Sequence, residues 1–140
     1  MTRKSQNTAI AISSADMTAA TMVPLATPRK DGCTIVDDVQ LLNEWIDGRS
    51  AHTDKMYRIA VRDFVKFMMD RVPLFASIRQ VSKTDIAAYR DHMANNAMGY
   101  ANSTIAAHIS ILKSLFSYAE RVGYVAIDVA ATVKAPATPS

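Results

Sequence analysis

Cysteine is almost missing from this 140-residue chain, where Cys33 stands alone. A single thiol closes no intramolecular disulfide and supplies no cysteine-based zinc site, which fits a reducing cytosolic compartment. Long apolar runs are missing too. No stretch approaches the roughly 18 residues of a membrane span. The "AIAI" after Arg3 and Lys4 falls short of the apolar core of about 7–15 residues in a secretory leader. A soluble, cytoplasmic protein is the expectation. A glycine-rich phosphate loop, a paired-histidine metal motif and a nucleophile elbow are all lacking. His52, His92 and His108 stand at no mutual metal-ligand spacing. No enzyme chemistry, cofactor or metal is expected of this chain.

What is there suits one globular domain: 49% hydrophobic and 21% charged residues, in a length that holds one core. The net charge of +3 and pI near 9.1 are mildly basic, compatible with an anionic partner without demanding one. Acid and base are segregated along the chain. Residues 36–48 carry Asp37, Asp38, Glu44 and Asp47 and no base, whereas residues 49–90 carry nine bases against four acids. Residues 1–35, rich in Ala, Thr, Ser and Met and broken by Pro24, Pro28 and Gly32, read as a flexible tail. The short apolar patch of Met22, Val23 and Leu25 is not expected to hold it down.

From residue 36 to 133 the sequence is punctuated into helices, with no alternating strand pattern. The first is expected over 36–47, burying Val39, Leu42, Trp45 and Ile46 and stopping at Gly48. The second opens at Ser50 or Thr53 and runs to Arg71, ahead of Pro73. Its inner side carries Tyr57, Ala60, Val61, Phe64, Phe67 and Met68. The third opens on "SKTD", with Ser82 as cap and Asp85 three residues on, and buries Ile86, Tyr89 and Met93. The fourth starts at Asn102 or Ser103 and ends near Gly123, with Ile105, Ile109, Leu112, Leu115, Phe116 and Ala119 as its buried stripe. A turn or short helix is expected over 127–133, then a proline-punctuated linker over 134–140. Met68, Met69, Met93 and Met98 read as core or margin filler. The fold class is all-α, a compact four- to five-helix bundle.

Two outer faces stand out. On the second helix Lys55, Arg58, Arg62 and Lys66 are spaced 3, 4 and 4, one row opposite the core side. Such a row either meets phosphates or is simply a solvated charged face. The fourth helix has no carboxylate for eighteen residues, from Asn102 to Ala119. Its outer side carries Ser103, Ala107, Ser110, Ser114, Ser117 and Arg121, with Lys113 beside them and His108 at the stripe margin. Small side chains admit a close surface, and hydroxyls suit phosphates and base edges. A polyanion and a partner helix both fit that face, and the basic row favours the polyanion.

The segments "LLNEWIDGRSAHTDKMYRIAVRDFVKFM", "VSKTDIAAYRDHM" and "NSTIAAHISILKSLFSYAERVGYVAIDVAATVKAP" together resemble the N-terminal core-binding domain of tyrosine recombinases, the phage-type integrases. The likeness is carried by Trp45, Thr53, Tyr57, Phe64, Asp85, Ile86, Tyr89, Ser103, Thr104, Ile105, Leu112, Phe116, Tyr118 and Gly123, in that order. It implies a SAM-like helical domain that clamps one face of a recombination-site duplex, with neighbouring core-binding domains touching in an assembly on DNA. It also implies that catalysis belongs to a separate C-terminal domain, so residues 134–140 read as a stub toward one absent from this chain, which is not expected to cut or join DNA. By position it assigns DNA contacts to Thr53, Lys55, Arg58 and Arg62, and to Ser103, Thr104, Ala107, His108 and Lys113.

Overall fold

Asp37 starts the first helix. Its extended backbone (φ −155°) turns the carboxylate onto the amide of Gln40, at 2.9 Å, which satisfies one of the orphan donors of the first turn. In the computed structural model, which describes residues 24–95 and 99–136, α1 spans Asp38–Ile46 and ends ahead of Gly48, whose φ of +82° suits glycine. The expected stripe is rotated. Leu41, Trp45 and Ile46 are buried and Leu42 is half-buried, whereas Val39 is 66% exposed. Asp38 sets that rotation: its carboxylate accepts from the hydroxyls of Ser77 (2.8 Å) and Tyr124 (2.5 Å) and from the amide of Ile78 (2.8 Å). Asp38, Leu41 and Trp45 share one helical face, and turning it inward points Val39 outward.

Ser50 caps α2, Ala51–Arg71, accepting from the Thr53 amide. Ala60, Val61, Phe64 and Met68 are buried along it, with Tyr57 and Phe67 half-buried. The chain leaves the helix at Val72, as the following Pro73 requires. A 3-10 turn, Ile78–Gln80, then leads to α3, Lys83–Asn95. Ser82 and Asp85 cap α3 reciprocally, each amide donating to the other's side chain at 2.9 and 3.2 Å. Arg71 donates to the other oxygen of Asp85 at 2.9 Å, tying the end of α2 to the start of α3.

α4, Asn102–Arg121, follows Ala101, which makes no side-chain cap. All six residues of its expected stripe are buried. It packs against each of the other three helices and α2 also packs against α3, which makes α4 the central rod. Gly123 closes it at φ +83°, and the amide of Tyr124 returns to the Ala119 carbonyl at 2.8 Å. Residues 129–132 form turns and no fifth helix, yet Ala130 and Val133 are buried and seal that end of the core.

The body of the domain extends further toward the N-terminus than residue 36. Thr27 bonds the Arg79 carbonyl through its amide, Lys30 bonds that of Gly123, and Arg79 donates back to Thr27. Lys30 also pairs with Glu120 at 2.6 Å, and Ile35 is a core residue. Residues 24–35 therefore lie as a strap across the 3-10 turn and the end of α4. Leu25 is exposed, as expected of it, while Met22, Val23 and the rest of 1–23 lie outside the described residues, as do Met98 and residues 137–140. Met68 and Met93 fill the core, but Met69 is 63% exposed, because it follows Met68 around α2 by about 100°. Among the described residues there is no strand, and no helix is long and apolar enough to cross a membrane.

Candidate nucleic-acid interface

Burial of one side of α2 leaves the other to its charges. Lys55, Arg58, Arg62 and Lys66 are all exposed. Arg58 is held by Asp54 one turn earlier, at 2.5 Å, and Arg62 approaches Asp63 at 3.5 Å. Lys55 and Lys66 have no acidic partner within 4 Å among the described residues. The four do not serve one cleft. Lys55, Arg58 and Arg62 rim a groove of about 790 Å³ between α1 and α2, floored by Leu42, Ile46, Ile59 and Val65. Lys66 lines a separate cleft of about 540 Å³ on the flank that faces α3.

The start of α2 is stiffened by aromatic packing. Trp45 of α1 stacks on Tyr57 with centroids 4.4 Å apart, and the Arg49 guanidinium lies 4.8 Å over the same ring. Arg49 also donates to the Trp45 carbonyl at 3.1 Å. Arg49 is a base beside the row that spacing alone does not pick out, because it stands in the loop before the helix. Thr53 is half-buried, and its hydroxyl accepts from Ser50 at 3.0 Å.

The outer side of α4 divides in two. Ser103, Thr104, Ala107 and Ser110 are exposed and form an open strip along the first turns. Lys113, Ser114 and Ser117 are half-buried, because α1 lies over this half of the helix. Ser114 is drawn into that contact, since its hydroxyl accepts from the Trp45 indole N–H at 3.1 Å, the partner a buried indole requires. Arg121 is exposed, its guanidinium 5.8 Å over the Tyr118 ring. His108 is buried, with Nδ1 3.1 Å from the Thr104 carbonyl and its ring stacked on Tyr100 at 5.5 Å. Burial pushes its pKa below the usual histidine value, and the nearby Asp63 carboxylate partly opposes this. Ser114, expected on the outer side, is thus drawn toward α1, and His108, expected at the stripe margin and given a DNA contact by the resemblance, is buried.

Among the described residues no group of three or more histidine, cysteine or acidic side chains is placed to hold a metal ion. The arrangement is a small all-helical domain of the SAM-like type, with an exposed basic row on one helix and a small, hydroxyl-bearing strip on another. The chain belongs to the family described as phage integrase, N-terminal SAM-like domain, whose model matches residues 41–123. That span runs from the middle of α1 to the glycine that closes α4. No curated protein and no solved structure matches the chain.

Proposed function

We propose that this domain binds duplex DNA as the core-binding part of a site-specific tyrosine recombinase, supplying grip rather than strand cleavage. Family membership places the chain among integrase N-terminal domains. The observation that carries the reading further is the exposed row of Lys55, Arg58, Arg62 and Lys66 along one rigid helix. The exposed Asp54–Arg58 pair contributes little to folding, so a phosphate competes for that guanidinium at small cost. The strip of Ser103, Thr104, Ala107 and Ser110 lets a duplex pass close to α4, with hydroxyls for phosphates or base edges.

Titrating labelled duplex into the protein at two salt concentrations tests this. Neutralising about four phosphates gives a log K against log salt slope of about −3.6. Arg62→Glu combined with Lys66→Glu is expected to weaken binding at least about tenfold, since each reversal turns an attraction into a repulsion. Affinity that ignores salt, or that survives the double reversal, rejects the reading. A second reading draws on the groove between α1 and α2, whose apolar floor suits a protein segment or a neighbouring copy of the domain on DNA. Under that reading Val65→Glu, on the groove floor, blocks association while leaving the salt slope on duplex DNA intact.

A further inference from the structure

The 540 Å³ cleft beside Lys66 is a second place where the domain has unmet binding chemistry. Its walls are the rings of Phe67, Tyr89, His92 and Tyr100. Phe67 lies 5.2 Å from Tyr89 and 4.9 Å from His92, both tilted, so ring faces and edges are presented together. Tyr89 is 1% exposed, and its hydroxyl has no hydrogen-bond partner among the described residues. A buried hydroxyl left unpaired is costly and calls for a partner. Tyr89 lines the cleft together with Asp63 and Tyr100, and burial first, with the Asp63 carboxylate second, raises its pKa. At the rim, Asp63 and Asp70 present carboxylates and Lys66 an ammonium. Arg71, the remaining charge, is committed to Asp85.

Aromatic walls accept a flat ring by stacking. Carboxylates accept N–H groups and no anion, while the lysine takes the anion. We infer that this cleft is a binding site for a single unpaired nucleobase carrying an amino group, stacked among the rings with its edge on Asp63 and the Tyr89 hydroxyl and its phosphate at Lys66. The inference rests on the duplex reading only in taking DNA as the source of that base. Because Lys66 belongs to the basic row on α2, the cleft lies where that row ends, within reach of a nucleotide at a bulge or strand end.

The test uses the whole chain and three small probes: adenosine 5′-monophosphate, uridine 5′-monophosphate and ribose 5-phosphate. Resonances of the Phe67 and Tyr100 rings are followed by NMR during titration. Adenosine monophosphate is expected to shift them saturably, uridine monophosphate more weakly, and ribose 5-phosphate not at all. Tyr89→Phe is expected to weaken the adenosine nucleotide about fivefold, the loss of one hydrogen bond. Its melting temperature should not fall, since the hydroxyl removed has no partner among the described residues. Equal shifts from ribose 5-phosphate, or an unchanged affinity in Tyr89→Phe, overturn the inference. If adenosine monophosphate fails while duplex binding keeps its salt slope, this inference falls and the duplex reading stands.

Discussion

At the scale of single residues, the side chain with most dependents is Asp38. Two hydroxyls and one amide, from Ser77, Tyr124 and Ile78, converge on it. Asp38→Ala strands all three and should cost about 3 kcal/mol in a urea titration, taking about 1 kcal/mol for each bond lost. Burial first, and the bond to Asp38 second, push the Tyr124 pKa up to about 12. Between pH 10 and 12 the unfolded tyrosine has lost its proton and the folded one keeps it, so stability falls as pH rises through that window. Tyr124→Phe should shallow that slope without abolishing it, because burial also raises the pKa of Tyr89 and Tyr118. His108 runs the opposite way. Burial lowers its pKa, so the unfolded chain takes the proton first and stability declines as pH falls through about 6.5. Stability measured from pH 8 to 5 should show this loss, and His108→Phe should flatten it. The role of Asp38 was not legible beforehand, because its partners lie 39 and 86 residues along the chain. As text it is one more acid in an acidic helix.

At the scale of elements, periodicity named the core where a helix was long and its apolar residues unambiguous. α3 and α4 bury the residues that spacing assigned them. α1 has nine residues and offers Val39, Leu41, Leu42, Trp45 and Ile46, enough for two competing stripes. The tie is broken by a polar residue that turns inward, which a hydrophobicity pattern does not register. Leu41→Ala should therefore destabilise by about 2–5 kcal/mol, while Val39→Ala should stay within about 0.5 kcal/mol. Thermal or chemical denaturation of the two variants decides between the rotations. The same docking of α1 explains why the outer side of α4 was only half legible. Small hydroxyl residues look alike in sequence whether open, as Ser110 is, or accepting from a buried indole, as Ser114 does.

At the scale of the whole molecule, the basic row could be read from its spacing, but its division between two clefts could not. Which flank each base leans toward depends on where α1 and α3 settle against α2. Loop residues were the other hidden contributors: Ile35, Ile78, Val81, Tyr124 and Val125 complete a core that helix patterns alone leave open. Gly123 joins these scales. A methyl there would sit 3.3 Å from Lys30 Cβ and would strain a backbone at φ +83°. Gly123→Ala should cost about 1–3 kcal/mol and loosen the strap, read as faster hydrogen exchange at the amides of Thr27 and Lys30.

The strap also bears on how the domain should be cut for study. A clone trimmed to the family-matched span would begin at Leu41 and discard the Asp37 cap, the Asp38 junction and the Ile35 plug together. Such a fragment would display every residue of the basic row on a scaffold with one end unbuttoned, and its silence toward DNA would say nothing about the row.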